Sequence, residues 1–358
     1  MPSPQTGIGG NHSEERTLAD DQIVLTGVKP TGSPHIGNLL SAIEPGIALA
    51  ADDTRTSLFF IADYHALTTV RDPEVLKHQT YAVAATWLAF GLDVERTMFY
   101  RQSDIPEVFE LAWILSCYSP KGYMNKSHAY KARVQDNAAQ GSDGDAGVNV
   151  GLFTYPILMA ADILLFDAHT VPVGKDQVQH VEIARDIAQR LNHACGADVL
   201  RLPKAEVSAN TATVPGLDGR KMSKSYGNVV PLFETSKRLR KIILRIKTDS
   251  TPPEAPKDPE SSLVYQIHET LLSADQKKAL ADRYRAGISW GEAKVALYEE
   301  IESRVAEPRE RYEYWMSHTD ELDQLLRKGA QRARPRAQAV LQRVRDALGI
   351  TAAPVISS

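Results

Sequence analysis

Short apolar segments of strand-like composition alternate with longer segments of helical periodicity over the first two hundred residues. The pattern predicts strands at 22–26, 57–62, 97–101 and 170–173, and helices at 39–50, 72–90, 105–117, 152–166 and 178–192. Because strands and helices take turns along the chain, we expect a parallel sheet covered by helices, an α/β fold. The segment 199–230 is irregular, so the sheet is expected to end with the fourth strand.

The pattern changes beyond residue 235, where no strand is predicted. Helical periodicity recurs at 235–247, 261–285, 291–326 and 336–348. We therefore divide the chain into a polar leader (1–20) that is expected to be disordered, an α/β domain (21–235) and a mainly helical region (236–358). The last helix is expected to return to the α/β domain.

The composition narrows the class of protein. The chain has 358 residues, of which 43% are hydrophobic, and a formal charge of −4, so it can bury a large core and any polyanion has to bind locally. Cys117 and Cys195 stand far apart, which argues against a disulfide framework or a cysteine-based zinc site and suits the cytoplasm. No apolar run is long enough to predict a membrane span.

The loop after the first predicted strand, GVKPTGSPHIGN, carries the first candidate chemistry. Gly27 and Gly32 have the spacing of a P-loop, but Ser-Pro stands where that loop needs Gly-Lys. At a strand-to-helix junction, free backbone N–H groups favour an anion. The residues placed there are Thr31, Gly32, His35, Gly37 and Asn38. Taken alone, the loop is an ordinary turn with a surface histidine.

A second loop, GLDGRKMSKSYGN, follows the last predicted strand. It holds Lys221, Ser223, Lys224 and Ser225, a composition that suits a flexible clamp for a polyphosphate. Taken alone, it reads as a solvated basic loop.

The two loops together resemble the HIGH and KMSKS signatures of class I aminoacyl-tRNA synthetases. PHIGN and RKMSKS occur in the expected order, with Asn38 in place of the last histidine of HIGH. This departure leaves the contact with pyrophosphate open. The resemblance implies a Rossmann-like catalytic domain, an α-helical C-terminal domain, and ATP as a substrate that carries Mg²⁺.

Within that family the chain is similar to the tryptophanyl enzymes, through TGVKPTG, ADYHALTT, YPILMAADILLF and VPVGKDQVQH, over most of 23–347. Tyr155, Met159 and Asp162 share one face of a predicted helix, where an apolar wall and one acceptor suit the single N–H of an indole. A tyrosyl enzyme is the nearest alternative, but its pattern has Gln where this chain has Met159, and a thioether bonds a phenol poorly.

The resemblance assigns roles to single residues. The catalytic residues are His35, Lys221 and Lys224. The ATP-binding residues are Lys29, Pro30, Thr31, Gly37, Asn38, Gly174, Lys175, Asp176, Val214, Lys221, Met222, Ser223, Lys224 and Ser225. The tryptophan-binding residues are Tyr155, Met159, Asp162, Gln177 and His65. Many relatives carry Gln at the position of Lys29, so we expect this cation to change metal dependence and inhibitor response.

The implied activity is attack of the tryptophan carboxylate on the α-phosphorus of ATP, followed by acyl transfer to tRNA(Trp). The family further implies a homodimer without membrane association. The family uses its helical domain for the anticodon, so the resemblance implies that 236–358 is the anticodon-binding region for tRNA. Its tract 327–345 has seven Lys or Arg and no acid, which makes it a candidate RNA contact or a solvated face. A free-standing nucleotidyltransferase and a catalytically silent RNA-binding paralogue stay open as alternatives.

Overall fold

The computed structural model describes residues 22–30, 32–125, 127–207 and 214–351. The predicted leader lies outside these ranges. Within the described ranges, five parallel strands form one sheet in the order β3-β2-β1-β4-β5. Their bounds are β1 Gln22–Val28, β2 Arg55–Ile61, β3 Met98–Arg101, β4 Thr170–Val173 and β5 Lys204–Val207. The four predicted strands are confirmed, and the fold class is α/β.

The expectation that the sheet ends with the fourth strand is wrong, because β5 pairs with β4 in parallel register from Lys204 to Val207. This edge strand reads KAEV and is exposed at both ends. It joins the sheet through backbone hydrogen bonds and has no apolar run by which periodicity could find it.

Helices account for most of the remaining chain. Those of the first half are α1 Ile36–Asn38, which a π-helical turn Leu39–Ile43 joins to α2 Glu44–Ala50, then α3 Asp63–Ala66, α4 Pro73–Ala89, α5 Glu107–Tyr118, α6 Lys121–Met124, α7 His128–Ala139, α8 Val150–Leu164 and α9 Val178–Cys195. Those of the second half are α10 Ser236–Leu244, α11 Leu263–Glu269, α12 Ala274–Arg285, α13 Trp290–Ser317 and α14 Thr319–Leu348. None of the described helices is long and apolar enough to cross a bilayer.

The two faces of the sheet support two cores, because alternate side chains of a strand point to opposite faces. Leu58 and Phe60 of β2 belong to a core that includes side chains of α5, α8, α9 and the second half of α14. Phe59 and Ile61 belong to the other core, which includes side chains of α4, α11, α13 and the start of α14. Helices therefore cover both faces.

Helix α14 runs from the helical half onto the sheet, where it packs along β3. A Cβ on Gly329 would lie 1.9 Å from the Phe99 carbonyl oxygen, so only glycine lets the helix come so close to the strand. Arg332 donates to the carbonyl oxygens of Val94 (2.6 Å) and Glu95 (2.8 Å). The predicted break before 336 is absent, and α14 is one helix with Pro335 inside it.

Candidate active site

The candidate residues lie where four parallel strands end at the same edge of the sheet. The PHIGN loop follows β1, His65 follows β2, Gln102 follows β3 and the turn Lys175–Gln177 follows β4. In open α/β sheets, ligands bind beyond the carboxyl ends of the strands. The order of the strands thus gathers segments that are far apart in sequence.

His35 begins the helix that follows β1. Its backbone N–H donates to the Asn38 side-chain oxygen over 3.1 Å, and its Nδ1 accepts from the Asn38 backbone N–H over 3.3 Å. This reciprocal capping box satisfies N–H groups that a helix start leaves without partners. Since Nδ1 is an acceptor, the imidazole proton of neutral His35 is on Nε2, where it can be donated to a ligand.

The chain beyond the KMSKS motif returns to the PHIGN loop and pairs with it. The Ile36 N–H donates to the Val230 carbonyl over 3.0 Å, and the Leu232 N–H donates to the Pro34 carbonyl over 3.2 Å. Ile36, Val230 and Leu232 are fully buried. These two hydrogen bonds hold the two signature loops side by side.

The second loop meets the first at two glycines of the first loop, Gly32 and Gly37. Gly32 has a φ of +57°, and a Cβ built on it would lie 3.1 Å from Lys224 Cδ and 3.4 Å from Lys224 Nζ. A Cβ on Gly37 would lie 3.6 Å from the sulfur of Met222. Lys224 therefore extends over the first loop, and the convergence that the two motifs predicted is observed.

The side chain of Asn228 holds the KMSKS loop in place through hydrogen bonds. Its side-chain oxygen accepts from the Ser223 N–H (2.8 Å), and its amide nitrogen donates to Asp218 (2.6 Å) and to the Lys221 carbonyl (3.2 Å). The Met222 N–H donates to the carbonyl of buried Val214 over 2.9 Å. The base of the loop is fixed, while the side chains of Lys221 and Ser225 stay exposed and that of Lys224 lies against Gly32.

Lys29 stands beside this junction. Its ammonium donates to the Thr68 hydroxyl over 3.0 Å, and the Asn149 side chain donates to the Thr68 carbonyl over 3.1 Å. Asn149 also caps the start of α8 through the Leu152 N–H (2.9 Å). Gln79, with its amide nitrogen facing Pro30, donates to that carbonyl (3.0 Å) and accepts from the Gly32 N–H (3.2 Å).

Burial sets the electrostatics of the phosphate side. Burial, together with the nearby charge of Lys224, lowers the pKa of His35 to about 4. Burial also lowers the pKa of Lys29 and of Lys224. His35 is therefore neutral at pH 7, and both lysines carry charge that is poorly solvated until an anion arrives.

Asp162 lies at the other side of the site and is 2% exposed. It accepts from His65 Nε2 over 2.9 Å and from the Gln102 amide nitrogen over 2.8 and 3.0 Å. Burial raises the pKa of Asp162, and the hydrogen bonds from His65 and Gln102 oppose that rise. These three contacts stabilise the charged form of Asp162. Since an ionised carboxylate only accepts hydrogen bonds, Asp162 is suited to accept one further hydrogen bond.

Tyr155 and Met159 are half-buried on the same helix as Asp162. The Tyr155 hydroxyl contacts His180 Nε2, and burial raises the pKa of Tyr155 to about 12. The aromatic rings of His65 and Tyr155 lie 6.3 Å apart, edge to face. The predicted face of α8 is therefore present, with a phenol that stays protonated.

The other predicted residues surround this centre. Gly174 is half-buried, Lys175 and Gln177 are exposed after β4, and the Ser223 and Ser225 hydroxyls lie 2.9 Å apart. Thr31 and the side chain of Asp176 fall outside the part of the chain that the structure describes.

Sequence reasoning did not assign Gln102, His180, Gln79, Thr68 or Asn228 to the site. Gln102 directly follows β3, so its place at a strand end was available as a signal. His180 closes the VPVGKDQVQH motif. Thr68 and Asn228 lie inside ADYHALTT and GLDGRKMSKSYGN, but nothing in those motifs showed which residues their side chains would contact. No local pattern in the sequence marks Gln79.

Comparisons with known proteins agree with this geometry. The family model described as tRNA synthetases class I (W and Y) matches residues 18–306. A tryptophan–tRNA ligase of Pseudomonas aeruginosa is 50% identical over 91% of this chain and 73% of its own length. One of Neisseria meningitidis is 49% identical over 91% and 97%.

Solved structures give the same picture. Tryptophanyl-tRNA synthetase from Campylobacter jejuni, complexed with ADP and tryptophan, has a TM-score of 0.82 and 42% identity over 91% of this chain and 99% of its own. The enzyme from Mycoplasma pneumoniae has a TM-score of 0.74 and 28% identity over 92% and 98%.

The proximity of the two loops can be tested through the titration of His35. Replacing Lys224 with Met removes a positive charge that helps to lower the pKa of His35, so the pKa should rise from about 4 toward its ordinary 6.5. Histidine ring NMR signals followed from pH 3 to 8 measure this change. His268 is the control, because its pKa is also lowered to about 4, chiefly by burial, and Lys224 is not among the causes. Equal titration of His35 in both proteins would contradict the proximity.

Proposed function

The chain belongs to the class I tRNA synthetases of the tryptophan and tyrosine family and acts as a tryptophan–tRNA ligase, and from this premise we propose roles for the residues of its site. The ligase activates L-tryptophan with ATP and transfers the tryptophanyl group to tRNA(Trp). The observation that supports the proposed roles best is the convergence of Lys224 and Met222 on Gly32 and Gly37, at the edge of the sheet where residues that follow β2 and β3 hold Asp162.

In the proposed arrangement, ATP lies between the two loops. The backbone around Gly32 and the Nε2–H of neutral His35 bind phosphate oxygens, and Lys29, Lys221 and Lys224 neutralise charge that develops as pyrophosphate leaves. Asn38 replaces a histidine of the family signature, but its side chain is already used to cap His35. We therefore propose that Asn38 contributes to the ATP site by fixing His35.

Mg²⁺ is proposed to arrive bound to the phosphate oxygens of ATP, as part of that substrate. Among the described residues, no group of three or more His, Cys, Asp or Glu side chains could hold the ion without those oxygens. The cations of the two loops then share the phosphate charge with the metal.

Tryptophan is proposed to lie against α8, with its indole N–H donated to Asp162 and its ring against Met159. Tyr155 and Gln177 face the α-amino group, and Lys29 faces the carboxylate that attacks phosphorus. A phenol would meet the Met159 thioether where the tyrosyl pattern has a glutamine, so the tyrosyl alternative is disfavoured.

The basic tract 327–345 is largely engaged in holding α14 to the α/β half. Arg334 pairs with Glu107 (2.7 Å), Arg343 pairs with Asp167 (2.6 Å), and Arg345 binds Glu110. With Arg332 on backbone carbonyls, these arginines already have acceptors. We therefore propose that they hold the two halves together and that other cations meet the tRNA.

Helix α10 is the proposed tRNA-facing surface, because it follows the KMSKS loop directly. Positions 235–248 include no acid, and their exposed cations are Lys237, Arg238, Arg240, Lys241, Arg245 and Lys247. Leu239 and Ile243 are fully buried and fix the helix against the core. The helix thus presents a dense positive stripe suited to RNA phosphates.

We also propose that the chain forms a homodimer and acts in the cytoplasm. Trp113 is 72% exposed on α5, and the ring of Tyr64 lies 4.4 Å from that of Phe109, one turn before Trp113. This aromatic surface is suited to contact with a second copy. Cys117 and Cys195 are free thiols, which fits a reducing compartment.

Amino-acid selectivity is tested by ATP–pyrophosphate exchange with each of the twenty amino acids. We expect exchange with tryptophan alone.

Replacing Asp162 with Asn removes the charged acceptor and turns an amide nitrogen toward the donors His65 and Gln102. The kcat/KM for tryptophan should fall about ten- to a hundredfold, while the KM for ATP changes little. Asp275→Asn, at an exposed position of α12, is the control. An equal loss of affinity for tryptophan and for ATP would exclude Asp162 from the tryptophan site.

The role of Lys29 is tested by Lys29→Gln. Losing a charge-assisted contact should raise the KM for tryptophan or ATP about tenfold and increase the Mg²⁺ concentration needed for half-maximal exchange. Lys294→Gln is the matched control, since the pKa of this lysine is also lowered by burial and it donates to a carbonyl in the helical half. Unchanged affinities and an unchanged metal requirement would rule out the assignment.

The tRNA surface is tested by the double variant Lys237→Gln and Lys241→Gln. Aminoacylation should show a severalfold higher KM for tRNA(Trp) and a weaker salt dependence, by about one in slope for each lost phosphate contact. Pyrophosphate exchange needs no tRNA and should be unchanged. The charge-matched control is Lys277→Gln with Lys278→Gln on α12, and equal effects of both pairs would argue for a loss of net charge alone.

A further inference from the structure

We propose that Gln102 is a specificity-determining positioning residue, which holds Asp162 as an ionised acceptor for the N–H of the indole ring. The inference rests on the proposed placement of the indole at Asp162. It goes further by assigning a role in specificity to a residue that acts through its contacts with other residues of the protein.

Gln102 is fully buried, at the carboxyl end of β3. Its side-chain oxygen accepts from the Tyr64 N–H over 3.2 Å, so the amide nitrogen has to face the other way, toward Asp162. That nitrogen lies 2.8 Å from Asp162 Oδ1 and 3.0 Å from Oδ2. The orientation of the amide is thus fixed by the backbone of α3, and it offers the carboxylate donors alone.

The neighbouring segments hold this geometry in place. The Ser103 N–H donates to the Asp63 carboxylate over 3.1 Å, which ties the turn that carries Gln102 to the helix that carries His65. His65 Nε2 lies 2.9 Å from Asp162 Oδ2. Oδ2 therefore has two donors and Oδ1 has one, which leaves Oδ1 with more capacity for an N–H from a ligand.

The surroundings of Asp162 make these donors necessary. Burial raises the pKa of Asp162, and the hydrogen bonds from His65 and Gln102 oppose that rise. Tyr100 lies close enough for its pKa to be raised by the Asp162 charge as well as by burial, yet among the described residues its hydroxyl has no hydrogen-bond partner. Without Gln102, one of the hydrogen bonds that oppose this rise is lost, so the charged form of Asp162, which accepts the indole N–H in the proposed placement, is less favoured.

Gln102→Glu is the sharpest test, because it keeps the oxygen that accepts from Tyr64 and replaces only the donor. We would measure kcat/KM in pyrophosphate exchange for tryptophan and for its benzothiophene isostere, in which sulfur replaces the N–H. The natural chain should prefer tryptophan about ten- to a hundredfold. The variant should lose most of that preference at pH values where both carboxyl groups are ionised, with the value for the isostere nearly unchanged.

The preference of the Gln102→Glu variant should fall as the pH rises, because the singly protonated pair of carboxyl groups keeps a donor between residue 102 and Asp162 and the fully ionised pair does not. Gln102→Met removes both contacts and should lose the preference at every pH. Tyr100→Phe is the matched control, since it removes a buried hydroxyl near the same carboxylate and should keep the preference.

The outcomes distinguish the positioning role of Gln102 from the placement of the indole at Asp162. Equal losses for tryptophan and the isostere, or a preference in Gln102→Glu that does not vary with pH, would overturn the positioning role while leaving Asp162 as the indole acceptor. A natural chain that does not distinguish the two amino acids would instead overturn the placement of the indole, and this inference with it.

Discussion

The site depends on a short antiparallel contact between the segments 34–36 and 230–232. Its two hydrogen bonds stabilise the fold by only about 0.5–1.5 kcal/mol each. The contact persists because Ile36, Val230 and Leu232 are buried in the core on one face of the sheet. Hydrophobic packing therefore sets the distance between the two signature loops. The lysines of the KMSKS loop stand on this base, which in the proposed arrangement lets them follow the charge of the phosphate groups without losing their position.

Burial is the common cause of the unusual charges in the site. It keeps His35 neutral, makes the ammonium groups of Lys29 and Lys224 easier to deprotonate, and makes Asp162 harder to ionise. Each effect costs stability in the empty protein, and each is reduced when a ligand supplies the opposite charge or the missing donor. In the proposed arrangement, the site therefore favours ligands that carry both a polyphosphate and an N–H group, as a preorganised site does.

The sequence allowed much of this to be predicted. The alternation of strands and helices identified four of five strands, and the two loops led to the family and to residues that the structure brings together. The misses share a cause: β5 and Gln102 owe their places to partners distant in sequence. Lys204–Val207 is a strand only because β4 offers its edge, and Gln102 becomes important only because Tyr64 and Asp162 flank it. The basic tract on α14 was ambiguous for the same reason, since Glu107, Glu110 and Asp167 are its neighbours only after folding.

In the proposed placement of tryptophan, selectivity for one flat amino acid follows from combining shape with hydrogen-bond polarity. Met159 supplies an apolar surface that can adapt to a ring, which by itself discriminates weakly between aromatic side chains. Asp162 adds an acceptor whose donors, Gln102 and His65, are fixed by the ends of β3 and β2. A ligand that lacks an N–H at that point leaves a buried carboxylate short of a partner, and this is costly in a site with so little solvent. Discrimination is therefore strong where the protein holds its polar groups rigidly, and the strand ends provide that rigidity.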